Sequence, residues 1–146
     1  MDTEPLRKAY DALLAADPRT AAPPGEWDTA QILAHVSLVS AATIGTVTAV
    51  ASGSISTYDN RLCQDPWTLD RVIAIAGGEA GLRERIRAQG VALCALAAVL
   101  SETELATKVP TLLLSNRACL VDQPVSLGDI IAGLTDVELP GHTRQL

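Results

Sequence analysis

Two histidines and one glutamate are the side chains of this sequence whose types and spacing could support metal chemistry. His35 lies in the first third of the chain, and Glu138 and His142 lie four residues apart near its end. Residues four apart lie on the same face of a helix. Two imidazoles and one carboxylate can hold a divalent ion such as Zn, Ni or Fe and leave coordination positions open. The three residues therefore form a candidate metal site if the fold brings them together.

The segment that carries His35 is predicted to be a long helix. Asp28 is a good N-cap and Gln31 can reach back to it, which is the pattern of a capping box. The helix is expected to run to about Ser52–Gly53, and His35 shares its row of apolar positions at intervals of three and four. His35 is therefore predicted to face inward, as a metal ligand or as a core histidine that is hydrogen-bonded to a neighbour.

The segment that carries Glu138 and His142 is predicted to be the last helix. Ser126 can cap it, with Asp129 three residues later, and Glu138 continues its apolar row where a leucine would be expected. A buried carboxylate usually protonates, pairs or coordinates a cation. Pro140-Gly141 lies between the two candidate ligands and can also form a turn. Two outcomes are open: a kinked helix that keeps the ligands together, or a helix that ends early and leaves His142 in a tail.

The rest of the chain predicts further helices and three connections. Hydrophobic residues make up 48% of the sequence and aromatic residues only 3%, which favours helices over a β-sandwich. Together these patterns predict an all-α fold, a four-helix bundle that forms one domain over residues 1–146. The remaining helices are expected over Glu4–Ala16, Leu69–Ala76 and Glu79–Leu100, and the connections over Arg19–Gly25, Gly53–Pro66 and Ser101–Pro124, the last of them irregular.

Two polar residues outside the candidate site could contact a substrate. Arg61 lies in the long polar connection, and a guanidinium can bind a carboxylate through two hydrogen bonds. The simpler interpretation of that connection is a solvated crossover. Gln89 interrupts the apolar row of the helix over Glu79–Leu100, so its amide either finds a partner inside the bundle or lines a pocket.

Composition argues against several classes of protein and site. The net charge is −6, and no run of Lys or Arg is long enough to follow a phosphate backbone. Both observations argue against a nucleic-acid partner. We find no signal-like opening and no apolar run near the roughly 20 residues of a membrane span, so a soluble cytoplasmic protein is expected. The three cysteines, Cys63, Cys94 and Cys119, are odd in number and include no C-x-x-C pair. They predict neither a disulfide framework nor a thiolate zinc site.

The candidate ligands and their flanking residues resemble a known family. The pattern consists of Trp27, then Ile32-Leu33-Ala34-His35, and at the end Glu138-x-x-x-His142-x-x-Gln145-Leu146. It is similar to the DinB superfamily of four-helix metalloproteins. In ligand type it is most similar to the branch that contains mycothiol-dependent maleylpyruvate isomerase, in which the first ligand of the C-terminal motif is a glutamate.

This resemblance carries expectations about fold and activity. It implies an up-down-down-up bundle with a metal ion between its second and fourth helices. The ligands would be His35, Glu138 and His142, and zinc is the metal we expect. It also implies a homodimer and a small-molecule substrate. The expected reaction is transfer of a low-molecular-weight thiol, such as mycothiol or bacillithiol, or a thiol-assisted isomerisation.

Two other functions fit the same residues. A metal-dependent hydrolase or cyclase would use the three ligands without a thiol. A metal-free binding or structural protein would result if Pro140-Gly141 kept the ligands apart. The sequence identifies neither a catalytic residue nor the substrate.

Overall fold

A three-stranded mixed sheet accompanies the helices of this protein. The computed structural model describes all residues from Met1 to Leu146. The chain is 62% helical, with six helices and the sheet, so it is a mixed α/β protein. The prediction of an all-α four-helix bundle is therefore wrong. The physical reason lies in the polar connection over Gly53–Pro66 and in the stretch over Ser101–Pro124 that we expected to be irregular, because both contain strands.

The helices follow the predicted segments closely. The last helix is continuous, and a π-helical turn over Leu134–Glu138 separates its two α-helical parts. The helices are α1 (Glu4–Ala15), α2 (Thr29–Ala51), α3 (Pro66–Ala76), α4 (Glu79–Ala98), the short α5 (Glu102–Leu105), and α6 (Leu127–Gly133), which leads through the π turn into α7 (Leu139–Thr143).

A β-hairpin occupies most of the stretch that was predicted to be irregular. Strands β2 (Lys108–Ser115) and β3 (Ala118–Ser126) pair antiparallel across the two-residue connection Asn116-Arg117. Both connecting residues have positive φ, 48° and 66°, as a type I′ turn requires. Pro110 and Pro124 lie opposite each other in the register, so their missing N–H groups fall at one point of the ladder.

The third strand lies in the polar connection between α2 and α3. Strand β1 (Tyr58–Asp59) pairs parallel with β2 at Thr111 and Leu112, and a 3₁₀ turn over Leu62–Gln64 follows it. The sheet order is β1-β2-β3. The part of the connection from Tyr58 to Gln64 is therefore held against the hairpin, whereas residues 53–57 are exposed, as in a solvated crossover.

Helix α2 lies at the centre of the core and packs chiefly on α4. Leu33 of α2 and Leu82, Ile86 and Leu93 of α4 are fully buried. By length and composition α2 could also cross a membrane, with a mean hydropathy of 1.6 over an 18-residue window that is 61% buried. The expectation that no apolar stretch reaches this length is therefore wrong. Since core helices pass the same test, the finding is weak evidence for a membrane span.

Arg83 ties the end of α1 to α4. Its guanidinium donates to the carbonyl oxygens of Leu14 and Ala16, at 3.1 and 3.2 Å, and so pairs acceptors that the end of a helix leaves free. We expect Arg83→Ala to lower the free energy of unfolding by about 1–2 kcal/mol, because two charge-assisted bonds at a partly exposed site are lost. Urea denaturation measures this.

The matched control for this prediction is Arg85→Ala, because Arg85 is an exposed arginine on the same helix. Its effect should stay within about 0.5 kcal/mol, as for most surface substitutions. Equal stabilities of the two variants would contradict the capping role of Arg83.

Candidate metal centre

The start of α2 fixes the position of His35. The predicted capping box is confirmed: Gln31 N–H donates to Asp28 Oδ1 at 2.8 Å, and Asp28 N–H donates to Gln31 Oε1 at 3.0 Å. His35 faces inward as predicted and is only 5% exposed. The ring of Trp27, just before the cap, packs on the imidazole with a centroid distance of 5.0 Å.

The π turn carries the last helix past Pro140. The predicted cap is present, with Asp129 N–H donating to Ser126 Oγ at 3.1 Å. The N–H of Leu139 donates to the carbonyl of Leu134, five residues back. A π turn widens the helix locally, which relieves the clash that a proline ring makes with the carbonyl four residues earlier. The helix continues to Thr143, so the alternative with His142 in a non-helical tail does not occur.

The same turn changes which residue occupies the core. Leu139 is fully buried, whereas the side chain of Glu138 remains 42% exposed. The prediction that Glu138 would take a core leucine position is therefore wrong by one residue, because the π turn adds one residue to the helical repeat. Glu138 lies at the border of the core, where solvent can reach its carboxylate.

The three predicted ligands converge on one point. Glu138 Oε2 lies 3.3 Å from His142 Nε2 and 3.7 Å from His35 Nε2. One ligand atom from each residue lies within 4.8 Å of the others. Atoms bound to one tetrahedral zinc ion at about 2.0–2.2 Å lie roughly 3.3 Å from each other. The spacing therefore fits a single ion after small side-chain movements.

Hydrogen bonds orient both imidazoles toward that point. His35 Nδ1 lies 2.7 Å from the carbonyl oxygen of Cys63, and His142 Nδ1 lies 2.8 Å from Gln145 Oε1. An oxygen acceptor at Nδ1 selects the tautomer with its proton on Nδ1. In that tautomer each Nε2 carries a lone pair toward Glu138. A cation bound between these two nitrogens and the carboxylate would be attracted by all three groups.

The electrostatics of Glu138 favour its charged form. Hydrogen bonds from His142, and secondly from His35, lower the pKa of Glu138 to about 2, although desolvation acts in the opposite direction. These bonds need a proton on Nε2, the position that a metal ion would occupy when it is bound. Glu138 is therefore a carboxylate at neutral pH, the form that binds a cation. Its exposed side gives solvent and small molecules access to the cluster.

The two predicted substrate contacts are not part of this cluster. Arg61 is exposed and forms an ion pair with Asp59, at 2.6 Å between Nη2 and Oδ2. Gln89 donates to the carbonyl of Ser37 at 3.0 Å, while its Oε1 is buried without a partner. Both remain predictions as substrate contacts. Sequence reasoning missed Cys63, which takes part through its backbone carbonyl and so leaves no side-chain signal.

The three cysteines should differ strongly in reactivity. All are free, and burial raises the pKa of the Cys63 thiol to about 11. At pH 8 its thiolate fraction is then on the order of one in a thousand, and the thiolate is the reactive form. We expect Ellman's reagent to modify exposed Cys119 first, partly buried Cys94 more slowly, and Cys63 only after unfolding.

The control for thiol reactivity is Cys119→Ser, which should remove the fast phase and leave the others unchanged. A fast phase that survives this substitution would contradict the assignment. Unfolding in guanidinium should make all three thiols available in the parent protein.

Comparison with known proteins adds no further evidence about the site. No family model, curated protein or solved structure matches the chain. The resemblance to the DinB superfamily therefore stays a prediction. The candidate site depends on the geometry of its own residues.

Proposed function

We propose that His35, Glu138 and His142 bind one divalent metal ion, most readily zinc. We further propose that the protein is a metalloenzyme that acts on a small organic molecule. One observation carries the proposal. Three acceptor atoms converge, and both imidazoles already use Nδ1 in hydrogen bonds that turn Nε2 toward the carboxylate. This is how proteins orient histidines for a metal.

The leading proposal for the reaction is thiol-dependent transfer or isomerisation. A divalent ion at this site would supply a positive charge that favours the thiolate form of a small thiol at neutral pH. Glu138 would hold that ion from the exposed side, while Trp27 and the buried face of α2 exclude water behind His35. The resemblance to mycothiol-dependent proteins supports a thiol of the mycothiol or bacillithiol type.

The thiol would come from outside the chain. Cys63 is the cysteine whose backbone contacts the site, since its carbonyl accepts from His35. Its raised pKa keeps the side chain protonated at neutral pH. A nucleophilic sulfur must therefore be brought by a cofactor or a co-substrate.

A metal-dependent hydrolase or cyclase is the second candidate. Sites with two histidines and one glutamate leave a position at which water can be activated. The exposed side of Glu138 admits water directly. This candidate needs the same three ligands and no thiol.

Cobalt substitution separates the two candidates. We expect one equivalent of Co²⁺ to bind and to give visible absorption bands. Mycothiol or bacillithiol should then shift these bands and add sulfur-to-metal charge transfer, whereas the S-methylated form of the same thiol should not. Binding of cobalt without any response to thiols favours the hydrolase or cyclase. Absence of cobalt and zinc binding contradicts both metal-dependent candidates.

A further inference from the structure

Asn60 joins the hairpin to the connection that follows strand β1. Its side-chain Nδ2 donates to the carbonyl oxygen of Leu114 at 3.0 Å, and the N–H of Leu114 donates to Asn60 Oδ1 at 2.9 Å. The amide thus pairs both backbone groups of one residue in β2, as a neighbouring strand would. Gln64 adds a third bond, from its Nε2 to the same carbonyl oxygen at 2.8 Å. Asn60 is only 9% exposed.

The same short segment holds the ring of His35. The backbone carbonyl of Asn60 accepts from the N–H of Cys63 at 3.1 Å, and the carbonyl of Cys63 accepts from His35 Nδ1 at 2.7 Å. A continuous set of hydrogen bonds therefore runs from β2 through Asn60 and the 3₁₀ turn to the candidate metal ligand. Cys63 reaches His35 through its backbone, so the position of that carbonyl depends on what anchors the turn.

We infer that Asn60 is a positioning residue of the metal centre: its amide anchors the turn to Leu114 so that the Cys63 carbonyl holds His35 in the Nδ1–H tautomer. This inference rests on the proposed metal-binding function. Without the anchor the carbonyl can move away, and the ring can rotate or place its proton on Nε2. The lone pair that faces Glu138 would then be lost from part of the population. Loss of such an outer partner typically lowers metal affinity 10–100-fold.

The test compares Asn60→Ala with Ser40→Ala. Ser40 lies on the same helix as His35, is fully buried, and forms one hydrogen bond, with the hydroxyl of Tyr10 at 2.7 Å. Ser40→Ala removes this buried hydrogen bond and leaves unchanged the hydrogen bonds that connect Leu114, through Asn60 and Cys63, to His35. Cobalt titration gives the dissociation constant of each variant. Long-range proton–nitrogen NMR of the metal-free proteins gives the tautomer of each imidazole, and the chain has only two histidines to assign.

We expect Asn60→Ala to raise the cobalt dissociation constant at least tenfold and to produce a mixture of His35 tautomers. Ser40→Ala should change the dissociation constant less than twofold and keep the Nδ1–H form. A folded Asn60→Ala protein with the parent's affinity and tautomer would overturn the inference. If Asn60→Ala does not fold, Asn60→Asp takes its place with the same two measurements. Aspartate keeps the acceptor for Leu114 N–H, but it replaces the donor with a carboxylate oxygen that repels the Leu114 carbonyl oxygen.

The two readouts distinguish failure of this inference from failure of the proposed function. A parent protein that binds neither cobalt nor zinc refutes the metal site, and with it the role of Asn60 in metal binding. A parent that binds metal, combined with an unchanged tautomer and affinity in the Asn60 variant, refutes the inference alone.

Discussion

Replacing His35 with alanine should remove stoichiometric zinc binding, with a loss of affinity on the order of 100-fold or more. Structural zinc sites with four ligands bind with apparent free energies of about 10–16 kcal/mol, so that one ligand accounts for roughly 3 kcal/mol. His35 is also the most deeply buried of the three candidate ligands. Elemental analysis and zinc competition titration of the purified proteins measure the change.

Thermal unfolding provides a second readout of the same prediction. At a free zinc concentration near 100 times the dissociation constant, binding should stabilise the parent by about 2.7 kcal/mol. For a chain of this size the corresponding rise in Tm is roughly 5–10 °C. His35→Ala should show no zinc-dependent rise, and Glu138→Gln should show a reduced one.

Ser40→Ala is the matched control for the His35 substitution, because it changes a buried polar residue on the same helix outside the cluster. It should lower stability somewhat and keep the zinc-dependent rise in Tm. Equal zinc binding by the parent and by His35→Ala would refute the site, whichever metal is present in the purified protein.

Replacing Gly90 with leucine should lower the free energy of unfolding by about 3 kcal/mol, since overpacking of a core is costly. A Cβ atom at Gly90 would lie 2.9 Å from Cγ of Tyr10, closer than real Cβ contacts allow. Tyr10 is 3% exposed and its hydroxyl is bonded to Ser40, so the ring has little freedom to move aside. The contact between α1 and α4 therefore requires glycine here. Chemical denaturation followed by circular dichroism measures the loss.

Gly45→Leu is the control, because it makes the same change in the middle of α2. Apart from the neighbouring backbone of α2 itself, nothing lies within 4 Å of a Cβ placed at Gly45. Leucine is a much better helix former than glycine, so this substitution should stabilise the protein by about 0.5–1 kcal/mol. Opposite signs for the two substitutions support the packing argument. A loss of similar size at both positions would show that something other than Tyr10 determines the effect.

The helices could be predicted from the sequence because their signals are local. Asp28 with Gln31, and Ser126 with Asp129, mark helix starts within four residues, and the spacing of apolar residues places His35 inside. The hairpin also has a local signal, in the two-residue connection Asn116-Arg117 between apolar runs. Arginine at a position with positive φ is uncommon, and this weakens the signal.

The details of the site depend on contacts between distant parts of the chain. No local pattern predicts that the carbonyl of Cys63 meets His35, because any residue can provide a backbone carbonyl. The π turn is equally hard to predict, since Pro140 alone is compatible with a kink, a turn or a widened helix. The convergence of His35, Glu138 and His142 was predicted as a possibility, and tertiary packing decides it.

Pro140 has a further consequence for the unfolded chain. Proline fixes its own φ angle and disfavours helical geometry at the residue before it, so Leu139 favours extended conformations in the unfolded chain. In the native helix Leu139 has φ −60° and ψ −47°, so folding works against this local preference. The close approach of Glu138 and His142 therefore depends on tertiary packing, such as the burial of Leu139, and not on a preference that the unfolded chain already has.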